Sequence, residues 1–153
     1  MSTFCFSEFQ EDNMNIKLDH INLTVANLNE SIEWYKKIFS FELAESGTTP
    51  LGTKWGIVAF NDNMICMSED PKRISADKFE DESAHQIYHF GIRISDENEW
   101  RQIVTRYSLK LYYGGINDYP SSRSWYIQDP SGHSIEVSFA GDEPLRFPKK
   151  EAL

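Results

Sequence analysis

The sequence predicts an α+β fold of two tandem β-α-β-β-β modules whose sheets form a cup. Three observations carry this reading. Two stretches with strict polar–apolar alternation recur at a fixed distance, since His89 follows His20 by 69 residues. Each runs into an amphipathic helix with the same cap, Asp96 following Asn27 by the same 69. Three further strand-like runs, separated by turn chemistry, follow each helix.

The elements are justified in chain order. His20-Ile21-Asn22-Leu23-Thr24-Val25 puts Ile21, Leu23 and Val25 on one face, opposite His20, Asn22 and Thr24, the mark of a half-buried strand. Asn27 is a good helix N-cap, with Glu30 at the position of a capping-box acid. Leu28, Ile32, Tyr35 and Phe39 then form a helical stripe. Strands are expected at 41–45, 55–60 and 64–68, punctuated by Gly47-Thr48-Thr49-Pro50 and Asn61-Asp62-Asn63. The charged, small-residue stretch Glu69 to Ala84 reads as the connection between halves.

The second copy opens with Phe90, Ile92 and Ile94 facing away from His89, Gly91 and Arg93. Its helix follows Asp96, with Glu99 as the capping acid and Trp100, Ile103, Val104 and Tyr107 as the stripe. Strands are expected at 110–113, 124–128 and 134–139. The last two are joined by Asp129-Pro130-Ser131-Gly132, with Pro and Gly where a type I turn places them. The domain runs from 16 to 140, as modules of about 16–69 and 86–140, after an N-terminal extension 1–15 and before a C-terminal tail 141–153.

Composition bounds the function. The 153 residues make one domain's length. A net charge of -9 weighs against binding a phosphate backbone, and no run of about 18 apolar residues is present to span a bilayer. Cys5 and Cys66 make no disulfide framework. With no secretory leader pattern, a soluble cytoplasmic protein is expected. Aromatic residues at 14% point to sheets or a lined pocket.

The chemistry sits on the polar strand faces. On the last strand Ile135, Val137 and Phe139 are the apolar side, opposite Ser134, Glu136 and Ser138. Taken alone, Glu136 is better read as a solvated strand residue. The duplication weighs against that. Two sheets curved around a shared cleft would bring His20, His89 and Glu136 together as two imidazoles and a carboxylate, a facial triad for a divalent ion. Neutral imidazole and carboxylate suit Mn, Zn, Fe or Ni. The same spacing makes Met67 the counterpart of Glu136, and a thioether is a poor ligand for a hard cation. Glu69 would substitute only if the register slipped by two. His85 and His89 have helical metal spacing but lie in a strand pattern, where four residues span about 13 Å. His133 reads as a surface turn residue. Arg93 is a candidate anchor for an anionic group or a solvated strand cation. Tyr126 and Trp55 are candidate wall residues, and Trp34 and Trp100 belong to helix packing.

Leu18-Asp19-His20-Ile21-Asn22-Leu23-Thr24-Val25, Ser31-Ile32-Glu33-Trp34-Tyr35, His89-Phe90-Gly91-Ile92 and Tyr126-Ile127-Gln128-Asp129-Pro130-Ser131-Gly132-His133-Ser134-Ile135-Glu136-Val137 together resemble the vicinal oxygen chelate superfamily. That superfamily includes glyoxalase I, fosfomycin-resistance thiol transferases, bleomycin-resistance proteins, methylmalonyl-CoA epimerase and extradiol dioxygenases. The resemblance implies a glyoxalase-like fold and an enzyme, a transferase, lyase or dioxygenase. It further implies one divalent metal ion at His20, His89 and Glu136, and a cup completed across a homodimer. The pattern is nearest to the fosfomycin-resistance enzymes, which implies a small oxygenated substrate with a thiol as cosubstrate. It sets Tyr126 near the substrate, where Asn22, Trp55, Met67 and Arg93 are the further candidate contacts. Asn22 stands where those enzymes have threonine, no lysine fits the loop before Ser124, and Arg146 is one residue out of step with their late arginine. Catalytic groups beyond the metal are not specified. The rival reading is a metal-free binding protein of the bleomycin-resistance type that sequesters a small molecule.

Overall fold

The computed structural model describes residues 18–72, 87–119 and 122–140. The extension 1–15, the tail 141–153, His85, Cys5 and Arg146 lie outside the described residues.

The first module runs β1 (Ile21–Val25), α1 (Leu28–Phe39), β2 (Glu42–Thr48), β3 (Lys54–Phe60) and β4 (Asn63–Glu69). The second runs β5 (Phe90–Ile94), α2 (Glu97–Arg106), β6 (Tyr112–Tyr119), β7 (Ser122–Gln128) and β8 (Ser134–Phe139). Each forms a four-stranded sheet, in the orders β1-β4-β3-β2 and β5-β8-β7-β6. First and last strands pair in parallel and the others are antiparallel. This is the predicted repeat. The strand β6 runs past the expected 110–113, because Gly114 and Gly115, both at positive φ, form an irregularity inside it.

Both helices start where the caps predict. The Asn27 side-chain oxygen accepts the Glu30 N–H at 3.0 Å, and Asp96 Oδ1 accepts those of Asn98 and Glu99 at 2.8 and 3.0 Å. The Glu69 carboxylate, at the end of β4, takes the Leu28 N–H at 2.9 Å and the Lys54 ammonium at 3.1 Å. Glu69 is therefore a second cap on α1, where a negative charge also meets the positive end of the helix.

Leu28, Ile32 and Tyr35 of the predicted stripe are buried, whereas Phe39 is only partly buried and Ile38 takes the fourth core place. Leu28, Ile32, Tyr35 and Ile38 pack over Leu23, Val25, Val58, Ile65 and Met67. Burying each such side chain is worth about 1.5–3 kcal/mol. Gly56 lets α1 come close, since a Cβ there would stand 3.3 Å from both Leu28 and Ile32. In the second module Trp100, Trp125, Ile127, Ile135 and Val137 belong to the same core. No helix among the described residues is long and apolar enough to cross a membrane.

The modules meet through their helices and one turn. Phe39 of α1 stacks on Trp100 of α2, centroids 5.8 Å apart and planes 7° from parallel. Tyr35 of α1 donates its hydroxyl hydrogen to Asp129 Oδ2 at 3.0 Å. The Ala26 N–H donates to Ser131 Oγ at 3.0 Å. Asp129 also accepts from the backbone N–H groups of Ser131 and His133 and pairs with His133 Nδ1 at 2.8 Å. His133 is thus no surface turn residue. It is mostly buried and holds the turn to the helix. Burial first, then the Asp129 charge, pushes the Tyr35 phenol well above its ordinary range, so it stays a donor.

Two outcomes follow for stability. Tyr35→Phe leaves a buried carboxylate short of a donor and should cost about 1–3 kcal/mol, with Asp129→Ala costing more, read by chemical denaturation. The Leu28 N–H first, and Lys54 after it, hold the Glu69 carboxyl below its ordinary value. Its contribution is present above that value and lost as pH falls through it and below. Glu69→Gln should flatten the acid limb of stability against pH.

Candidate metal centre

Parallel pairing of β5 with β8 sets Gly91 beside Glu136. His89 lies two residues before Gly91, on the same polar face. The side chains meet, with His89 Nε2 at 3.0 Å from Glu136 Oε2, the two being 28% and 23% exposed. The other oxygen, Oε1, accepts a hydrogen bond from the buried Ser124 hydroxyl at 2.6 Å, which fixes the carboxylate plane. The Tyr126 ring stands edge-to-face against the imidazole at 5.6 Å. Burial first, and the Tyr119 hydroxyl next, push the Tyr126 phenol up, so it is a neutral donor at physiological pH.

The pair suits a divalent ion by its donor chemistry, one imidazole nitrogen and one carboxylate oxygen. Its 3.0 Å separation is that of a hydrogen-bonded histidine and glutamate and also the spacing of two donors on one ion, so the distance accommodates a metal without selecting for it. His89 Nδ1 is buried without a partner among the described residues.

His20 stands apart from that pair. Its Nδ1 is held by Asp19 Oδ2 at 2.7 Å and the ring is 44% exposed. A carboxylate on the far nitrogen is how proteins orient a ligating imidazole. His20 and Arg93 line one groove, about 970 Å³, with residues of both edge strands β1 and β5. Yet within one chain His20 is not brought to His89 and Glu136. Among the described residues no three His, Cys, Asp or Glu side chains group closely enough to hold an ion.

The remaining predicted residues fall as follows. Asn22 is exposed on β1 beside Cys66, and Arg93 is exposed on β5 beside Ser138. Trp55 of β3 is half-buried, its indole lying against Gly47, where a Cβ would meet the ring at 2.9 Å. Tyr126 is buried beside His89. Met67 is corrected. It is 1% exposed and pairs with Leu23 on the core face, so it cannot touch a substrate in the cup. From first to last strand the second module is one residue longer, Ile21 pairing with Ile65 but Phe90 with Ile135. The counterpart of Glu136 is therefore Cys66, opposite Asn22. Burial first, then the Asp19 charge, push the Cys66 thiol up.

Sequence reasoning also missed Ser124, Asp19 as the support of His20, and the tyrosines Tyr88, Tyr113 and Tyr119. Asp19 was legible from its place next to His20. Ser124 reaches Glu136 only through the β7–β8 pairing and leaves no local mark.

The family model described as the Glyoxalase/Bleomycin resistance protein/Dioxygenase superfamily matches residues 17–137. The chain belongs to this superfamily. It is 29% identical over 126 residues to the Metallothiol transferase FosB of Staphylococcus epidermidis, covering 78% of this chain and 79% of that protein. It is 27% identical over 131 residues to the Trivalent organoarsenical cleaving enzyme of a Bacillus species, covering 81% and 73%. The crystal structure of the fosfomycin resistance protein FosX from Listeria monocytogenes, complexed with Mn(II) and sulfate, matches with a TM-score of 0.61. It is 21% identical, and the match covers 84% of this chain and 96% of that one. At that identity the likeness establishes the superfamily's fold.

The register correction is testable. Met67→Ala should cost about 2–5 kcal/mol of unfolding free energy through a core cavity, read by urea denaturation. A position lining an open cup would cost far less.

Proposed function

We propose that residues 16–140 form a single-domain, divalent-metal-dependent enzyme of the thiol transferase kind, working as a cytoplasmic homodimer. The ion is held by His89 and Glu136 of one chain and by His20 of the partner subunit. The observation that carries this is the 3.0 Å His89–Glu136 pair, held by Ser124, while His20, on its Asp19 support, lies apart from it. Of the three proposed ligands, one chain brings only His89 and Glu136 together. The edge strands β1 and β5 flank the groove that carries His20, and an open sheet edge readily takes a second chain. The relatives named above are enzymes, one a metallothiol transferase, and nothing favours metal-free sequestration.

When bound, a divalent ion supplies Lewis-acid polarisation of a substrate oxygen. The chain's own residues do the rest. Ser124 orients Glu136, and Asp19 orients His20. Tyr126, kept protonated by burial, walls the imidazole and is not a general base at neutral pH. Arg93, on the face of His89, offers a fork for an anionic substrate group. Cys66 is held as a thiol by burial and by Asp19, and the thiol cosubstrate of this reading rests on the likeness to a metallothiol transferase. Mn, Zn, Fe and Ni all suit this donor set.

The test separates a shared site from a site within one chain. Wild-type protein should bind about one ion per chain, and His20→Ala and Glu136→Gln should each bind almost none. Mixed dimers of those two variants rebuild one complete site, so metal content should return to about one ion per two chains, read by elemental analysis of differentially tagged dimers. Mixed dimers without metal would refute the shared site, and metal-free wild-type protein after loading would refute the enzyme.

A further inference from the structure

The two modules are tied at one end of β1 and parted at the other. At the tied end the Asp129 carboxylate accepts from the Tyr35 hydroxyl of α1 at 3.0 Å and pairs at 2.8 Å with His133, the residue before β8. Beside it Ser131 Oγ accepts the N–H of Ala26, the residue after β1, at 3.0 Å. One turn therefore joins the end of the strand that His20 precedes to the start of the strand that carries Glu136. At the parted end, residues of β1 and β5 line the groove of about 970 Å³, and the two sheets share no ladder.

The Phe39–Trp100 stack lies on that groove, with planes 7° from parallel. Aromatic pairs tolerate a broad range of offsets, whereas hydrogen bonds weaken steeply off line. The directional link between modules is thus the hydrogen-bonded turn, and it acts on a long lever. His20 lies six residues before Ala26. Along an extended strand that is about 20 Å, so a rotation of about 3° at the turn displaces His20 by about 1 Å, beyond the roughly 0.5 Å tolerance of a working site.

We propose that Tyr35 and Asp129 are positioning residues for the metal: through the turn at 129–133 they preset the angle between the modules, so that the two ions of the dimer bind independently. The inference rests on the shared-site reading above. In that reading each chain lends His20 to one ion and the His89–Glu136 pair to the other. With the angle fixed, neither ion has to order the chain for its neighbour. With the angle loosened, the first ion bears that ordering cost and the second does not, which gives positive cooperativity without any new contact.

The experiment is calorimetric titration of Mn(II) into metal-stripped wild-type protein, Tyr35→Phe, Ser131→Ala and Val58→Ala. Tyr35→Phe removes one hydrogen bond to a carboxylate, about tenfold in an equilibrium. Mn(II) affinity should fall by about that factor and the isotherm should become cooperative, with dimer mass unchanged. Ser131→Ala, the milder cut at the Ala26 tie, should move both in the same direction. Val58 is fully buried in β3, which bears no proposed ligand and takes no part in the turn. Val58→Ala destabilises by a cavity alone and should bind Mn(II) like the wild type, with independent sites. Wild-type affinity in both Tyr35→Phe and Ser131→Ala overturns the proposal, as does cooperative uptake by the wild type. An equal loss in Val58→Ala also overturns it, by making any destabilisation sufficient. So does loss of the dimer in Tyr35→Phe, by making the turn part of the assembly. A wild-type protein that takes up no Mn(II) brings down the metal reading itself, an outcome distinct from all the others.

Discussion

The pairing of the first strand of each module with its last is the contact on which the site depends. A chain that goes up β5, over α2 and through two hairpins returns in β8 parallel to where it began. Parallel neighbours lie close to 5 Å apart, so residues 47 positions apart in the chain, His89 and Glu136, meet side by side. The helix on the other face pins both strands, because Trp100 buries against Trp125 and the aliphatic faces of β7 and β8. Core packing and site geometry are two sides of the same sheet.

How the modules join explains why one chain does not complete a triad. Their contact is spent on core material: the Phe39–Trp100 stack, and the Asp129 carboxylate gathering Tyr35, His133 and two backbone N–H groups. Asp129 is fully buried in its side chain, and a buried carboxylate without donors is costly, so this arrangement is strongly preferred over one in which the modules slide. It leaves the polar face of each sheet with its own histidine. His20 keeps Asp19, and His89 keeps Glu136.

Much of this was legible because it is local. Period-two alternation over 20–25 and 89–94 marked the strands, and Asn27 and Asp96 marked the helix starts within one residue. The turn at 129–132 was read correctly as a turn, but not as a joint between modules, since nothing nearby in sequence shows that Tyr35 lies across from Asp129.

By itself, then, the sequence determined the two-module plan, the superfamily, and the residue types able to hold a divalent ion, because periodicity, caps and turns are written within a few neighbouring residues. Only tertiary structure decided which face each late-strand residue takes. A strand repeats every two residues, so one residue of difference in length between the modules exchanges Cys66 for Met67 on the polar side. Tertiary structure also decided that His89 and Glu136 meet while His20 stays apart, because that depends on how two sheets are docked through their helices and not on spacing along the chain.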